Sequence, residues 1–95
     1  MIEDSLGEIE RAHANLIDCM RVDISLANNF LDQAERSTDR EHAQSQYEAA
    51  TKAHHTVVYF LMRHEYASDV QERIRPLLND LTRRLEHLSK RLSER

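Results

Sequence analysis

Near the C-terminus Ile74, Leu78, Leu81, Leu85, Leu88 and Leu92 recur at alternating spacings of four and three residues. A repeat averaging 3.5 residues is the a/d seam of a heptad. On a helix it makes a stripe so narrow that it has to be buried against other helices. The rest of the chain therefore has to supply helical partner surface, and its residue usage agrees. One glycine, Gly7, and one proline, Pro76, occur among 95 residues, and tight turns depend on those two residue types. Little chain is left for loops. The one β-branched and aromatic cluster runs from Thr56 to Phe60, and helix formers rather than turn residues flank it. The fold class expected is all-α.

Capping boxes mark where the helices begin. In such a box a Ser or Thr caps the helix, and an acid or amide three residues later reaches back to the cap's own N–H. Ser5-x-x-Glu8, Thr38-x-x-Glu41 and Ser68-x-x-Gln71 are three of them, and they imply helices over about 5–35, 38–66 and 69–93. On a wheel of 100° per residue, Leu6, Ile9, Leu16, Met20, Ile24, Ala27, Leu31 and Ala34 share one face of the first helix. A second line, Cys19, Val22, Leu26 and Phe30, widens that face in mid-helix, so the first helix is expected to touch more than one neighbour. The second helix presents Ala43, Tyr47, Ala50, His54, Val57, Leu61 and His64, with small residues that permit a close approach. Its phase differs by about half a turn from the leucine stripe of the third, which places a break near Tyr66 to Asp69. Pro76 leaves two readings, since proline removes a helical hydrogen bond. Either the third helix begins near 69 and is kinked at Pro76, or the second continues to about Arg75 and Pro76 opens the last helix. The phase break favours the first.

Short connections make successive helices antiparallel, so the chain is expected to form one domain, residues 1–95, folded as an up-down-up three-helix bundle with a coiled-coil-like last helix. Its formal charge of −4 is unevenly spread. Residues 1–35 hold eight acids and two arginines, 36–67 balance, and 68–95 carry seven bases against five acids. Acidic helix 1 is thus expected to complement Arg73, Arg84 and Arg91 beside the leucine stripe. At this size ordering cost and burial nearly cancel, so self-association would help. The single cysteine, Cys19, gives no intrachain disulfide and no sign of an oxidising compartment. No charged n-region followed by an apolar h-region and no apolar run near 18 residues occurs in the sequence, so neither a signal peptide nor a membrane span is expected. The location expected is cytoplasmic.

Six histidines raise the question of a metal. Glu10-x-x-His13 and Asp39-x-x-His42 have the Glu-x-x-His type of spacing used in di-iron bundles. A hairpin turning near residue 37 would set the two motifs about 28 Å apart, so an intrachain di-metal site is not expected. No metal and no cofactor is assigned. His54 lies within the second helix's stripe, level with Met20, and Asp23 is one turn away; Asp23 and His54 are expected to form a buried polar pair, because a buried imidazole needs partners. Cys19 falls level with His55, but no glycine-bearing loop shapes a pocket beside them, and the chain is not expected to be an enzyme. Arg83, Arg84, Lys90, Arg91 and Arg95 are spread around their helix with Asp80, Glu86 and Glu94 among them. That is not the concentrated basic patch a nucleic acid needs.

From Ala43 to Phe60, with Tyr47, Ala50 and Ala53 at close-packing positions, the chain resembles the small-residue helix pairs of tetratricopeptide-type domains and of the microtubule-interacting-and-trafficking three-helix domains. The fuller repeat pattern of Trp, Leu-Gly and Pro is missing, so no family is assigned on it and no residue roles are carried over. The function expected is that of a helical interaction or assembly module. Its partner would be a second copy, most simply as a dimer, or another helical protein; membrane and nucleic acid are not expected. Two sets of residues compete for the contact: Cys19, Val22, Leu26 and Phe30, or the heptad residues Leu78, Leu85 and Leu92. One set should close the core and the other meet the partner. The alternatives are a small metal- or ligand-binding bundle using His, Asp and Glu side chains, and a nucleic-acid-associated helical protein.

Overall fold

A computed structural model of the chain describes residues 2–64 and 67–94, with side chains from residue 11 onward within those ranges. It is an all-α bundle of three helices, α1 (Ile2–Arg36), α2 (Arg40–Arg63) and α3 (Ser68–Ser93). Every helix packs on the other two, and no strand occurs among the described residues. The molecule is slender, 62 × 17 × 16 Å.

The helix boundaries fall close to those expected, but other residues set them. At α2 the cap is Asp39 rather than Thr38: its backbone is extended (φ −92°, ψ 117°) and its carboxylate accepts the Glu41 N–H at 3.1 Å. A carboxylate there also meets the positive end of the helix dipole, which a threonine hydroxyl does not. Ser37 holds the turn by accepting the Asp39 N–H at 3.2 Å. At α3 the cap is Ala67, which makes no side-chain bond, and Ser68 is already helical. Gln71 does not reach back to Ser68. Its Nε2 donates to the carbonyls of Leu61 (2.9 Å) and His64 (3.4 Å) at the end of α2. Terminal carbonyls of a helix lack intrahelical donors, so Gln71 closes the helix before its own. The box Ser5-x-x-Glu8 lies outside the described side chains, as do Leu6, Ile9 and Glu10. So does Tyr66 at the second turn.

Pro76 lies inside α3, which runs through it from Ser68 to Ser93. The proline is exposed, and having no N–H it cannot donate to the Glu72 carbonyl one turn back. Chain direction follows from the cross-links. His13 Nδ1 to Asp69 Oδ2 (3.3 Å) and Arg84 Nη1 to Asn28 Oδ1 (2.6 Å) join α1 and α3 with the same offset along the sequence, so these helices run parallel. Arg40 donates to the Leu92 carbonyl at one end of the α2–α3 pair, and Gln71 to Leu61 at the other, so that pair is antiparallel. The arrangement is up-down-up.

The core is a single file. Ile17, Met20, Ile24, Ala27, Leu31 and Ala34 come from α1; Ala43, Ala50, Val57 and Leu61 from α2; Val70, Ile74, Leu78, Leu81, Leu85 and Leu88 from α3. Alanines on α2 let it approach α1 closely, and these two helices share the most extensive contact. The large side chains of α3 then fill the trough above them. No polar or charged residue among those described is buried in this core.

Candidate interaction surface

Two flanks of α1 leave the core stripe in opposite directions, and they have different chemistry. On the flank turned to α3, Arg84 reaches across and donates to Asn28 Oδ1 (2.6 Å), Asp32 Oδ1 (2.8 Å) and Glu35 Oε1 (3.4 Å). Burial works against the guanidinium's charge, but its bonds to Asp32 and Glu35 and their negative charges outweigh that, and its pKa is raised. This is the complementarity expected between acidic helix 1 and the arginines of α3, realised at Arg84. It fixes the rotation of α1, and with it which apolar line faces inward.

The other flank carries Cys19, Val22, Leu26 and Phe30. Phe30 is half-buried and packs against the core, whereas Val22 is 65% exposed, Leu26 45%, and Cys19 is an exposed free thiol. Their positions, i, i+3, i+7 and i+11, form one stripe along the helix, and a helix uses that spacing to lay an apolar face against another helix. The heptad set is placed differently. Leu78 and Leu85 are buried and Leu92 is half-buried against the same core, so they close the bundle from within. Of the two competing sets, only the α1 line is left outside.

The polar pair expected between Asp23 and His54 is replaced by another contact. His54 is half-buried, and its Nε2 lies 2.8 Å from Thr82 Oγ1 on α3. The stripe of α2 faces two helices, and His54 stands on its α3 side while Asp23 stands on α1. Thr82's single hydroxyl proton is donated to the Leu78 carbonyl at 2.9 Å, so towards His54 the oxygen presents a lone pair and Nε2 carries the proton. Burial, and secondarily the neighbouring His55, lower the His54 pKa from 6.5. Tyr47, Thr51, His54, Thr82 and Lys90 border an open groove of about 430 Å³ between α2 and α3. Of the other metal candidates, His13 is engaged with Asp69, His42 is exposed and Glu10 is outside the described side chains. Among the described residues no three His, Cys, Asp or Glu side chains come together as a metal site.

Some exposed apolar residues escaped the sequence pattern. Tyr59 and Met62 on α2 are 56% and 70% exposed, and Phe60 and Leu77 are partly so. Tyr59 is occupied locally: Phe60 meets it edge-on at 5.8 Å, and Arg63 lies over its ring and donates to its hydroxyl at 2.9 Å. A wheel drawn for residues off the α2 stripe finds Tyr59 and Met62.

What fold and surface define is a slender three-helix bundle with one apolar stripe left uncovered on its first helix. No known family model matches the chain, and neither a curated protein nor a solved structure matches it. Among the described residues no helix is long and apolar enough to cross a membrane.

Proposed function

We propose that this chain is a non-catalytic helical assembly module, whose outer α1 line docks against a helix of another chain. The observation that carries the reading is the exposure of Cys19, Val22 and Leu26 on a bundle whose core is already closed by the α3 leucines. Isolated apolar residues on a surface need no explanation, but a run at helical spacing that the chain's own helices leave uncovered is the signature of a contact face. A cytoplasmic location goes with this reading, supported by the exposed, unpaired thiol of Cys19.

The test compares the tagged wild-type chain with Leu26→Glu, both isolated from lysate under native conditions. The wild type is expected to retain another polypeptide, a second copy or a different protein, and Leu26→Glu to lose it with unchanged helical content. If the wild type retains no chain of either kind, or Leu26→Glu retains the same set, the reading fails.

A further inference from the structure

His13 belongs neither to the core nor to the outer α1 line, and the fold brings a carboxylate to it from another helix. Its Nδ1 lies 3.3 Å from Oδ2 of Asp69, in the first turn of α3. A charge-assisted hydrogen bond between such groups measures about 2.7–2.9 Å. Two ligands of one tetrahedral zinc ion, each about 2.1 Å from the metal, stand about 3.4 Å apart. The observed separation is closer to the second distance than to the first. Both side chains also keep access to water, at 34% and 51% exposure, so an ion between them could retain a water ligand.

A third ligand follows from helix register. α1 is helical through residue 10, so Glu10 lies one turn before His13, at the i, i+3 spacing by which one helix offers two side chains to one ion. Glu10 also stands eighteen residues before Asn28, about five full turns, and hence at the same angle around the helix. Asn28 is on the flank that Arg84 reaches from α3. His13 precedes Asn28 by fifteen residues and Asp69 precedes Arg84 by fifteen, so the parallel helices repeat that meeting at the level of His13. The charge there suits a cation, since residues 1–10 hold four acids and no base. Arg11 and Arg73, the bases close by in sequence, are both exposed and can carry their charge into solvent. We infer that His13, Asp69 and Glu10 bind one first-row divalent ion, zinc, between α1 and α3, with the fourth position open to water. One imidazole and two carboxylates form a nitrogen and oxygen set that zinc accepts. Two of these ligands are described side chains and Glu10 is placed by register alone, which is why no triplet occurs among the described residues. The ion ties α1 to α3 at the end of the molecule away from Arg84.

Isothermal titration of zinc chloride into the purified, metal-stripped full chain tests the site. One ion per 11.2 kDa chain is expected, with a higher melting temperature and no change of mass in light scattering. His13→Ala, Asp69→Asn and Glu10→Gln are each expected to weaken binding about a hundredfold or more, because loss of even an outer partner of a zinc ligand costs about 10–100-fold. Each variant should keep the helical content of the wild type, since the His13–Asp69 contact is half-exposed. His42→Ala, which removes an exposed histidine from the companion motif Asp39-x-x-His42, should bind zinc as the wild type does. A wild type that takes up no stoichiometric zinc overturns the site, and so does zinc that survives His13→Ala or Asp69→Asn or is lost with His42→Ala. Zinc that survives Glu10→Gln overturns the three-ligand set, and a mass that doubles with zinc overturns a site within one chain. None of these outcomes depends on the docking of the α1 line.

Discussion

Two apolar lines of nearly equal spacing run along this molecule, Ile74 to Leu88 on α3 and Cys19 to Phe30 on α1, and only the first is buried. Apolar spacing alone does not decide which is taken inside. A three-helix bundle only 16–17 Å thick has room for one line per helix, and α1 carries two. The inner line, Ile17 to Ala34, is continuous; the outer one is short, and beyond Cys19 and Phe30 its side of the helix carries Asn15 and Gln33. Arg84 then holds α1 by Asn28, Asp32 and Glu35 in the rotation that keeps the continuous line inward. Continuity selects the core, and the shorter line stays on the surface.

The comparison breaks most readily at Leu81. This residue is fully buried, and Leu81→Ala should cost about 2–5 kcal/mol in chemical denaturation. Leu26→Ala should cost less than about 0.5 kcal/mol when measured on the single chain; equal losses would mean that both lines belong to one core. Next comes Arg84→Met, which removes the three bonds to α1. Because this site is half-exposed, the loss expected is about 1 kcal/mol, and most of the difference from wild type should vanish in 1 M salt. A smaller change, of opposite sign, is expected at Gln46, on the flank of α2 turned to α1, whose Oε1 is buried without a hydrogen-bond partner. Gln46→Leu removes that unsatisfied acceptor and should stabilise by a little under 1 kcal/mol; a loss in the same denaturation series would show that the amide has a donor.

The helices were legible because their signals are local and repeated. Five of the six heptad positions of α3, the α1 stripe from Met20 to Ala34, and Ala43 and Ala50 of α2 lie in the core, and Leu92 packs half-buried against it. The phase shift between the α2 and α3 stripes placed the second turn, and the same argument kept Pro76 inside a helix. What was not legible depends on choices between near-equal local options. Thr38 and Asp39 can both cap, and the carboxylate was taken. Gln71 had two sets of backbone partners within reach, and the carbonyls at the end of α2 were the needier. His54 sits where the α2 stripe turns from α1 to α3, and a wheel gives the angle of a side chain but not the neighbour it leans on. The same limit left open whether the leucines or the Cys19 line formed the core, since each makes an equally good stripe on its own helix.

The finest test of the seam between α2 and α3 uses the pH dependence of stability. His54 donates from Nε2 to Thr82, and its pKa in the folded chain is below 6.5, first because it is partly buried and then because His55 stands beside it. A base with a lowered folded pKa binds a proton more weakly folded than unfolded, so protonation favours unfolding. Its contribution is therefore intact above pH 6.5, falls as the pH drops through 6.5, and levels off below the folded pKa. His54→Gln keeps an N–H that can reach Thr82 but does not titrate. Unfolding free energies of the two chains, compared between pH 7.5 and 5.5, should diverge only at the acid end, with the wild type losing a few tenths of a kcal/mol more, a small effect because the ring is partly in water. A constant difference over that range would mean that His54 only packs, whereas a wild type that gains relative to His54→Gln on acidification would mean that a negative group holds the ring. Asp23, the partner first expected for it, would be the group to replace next.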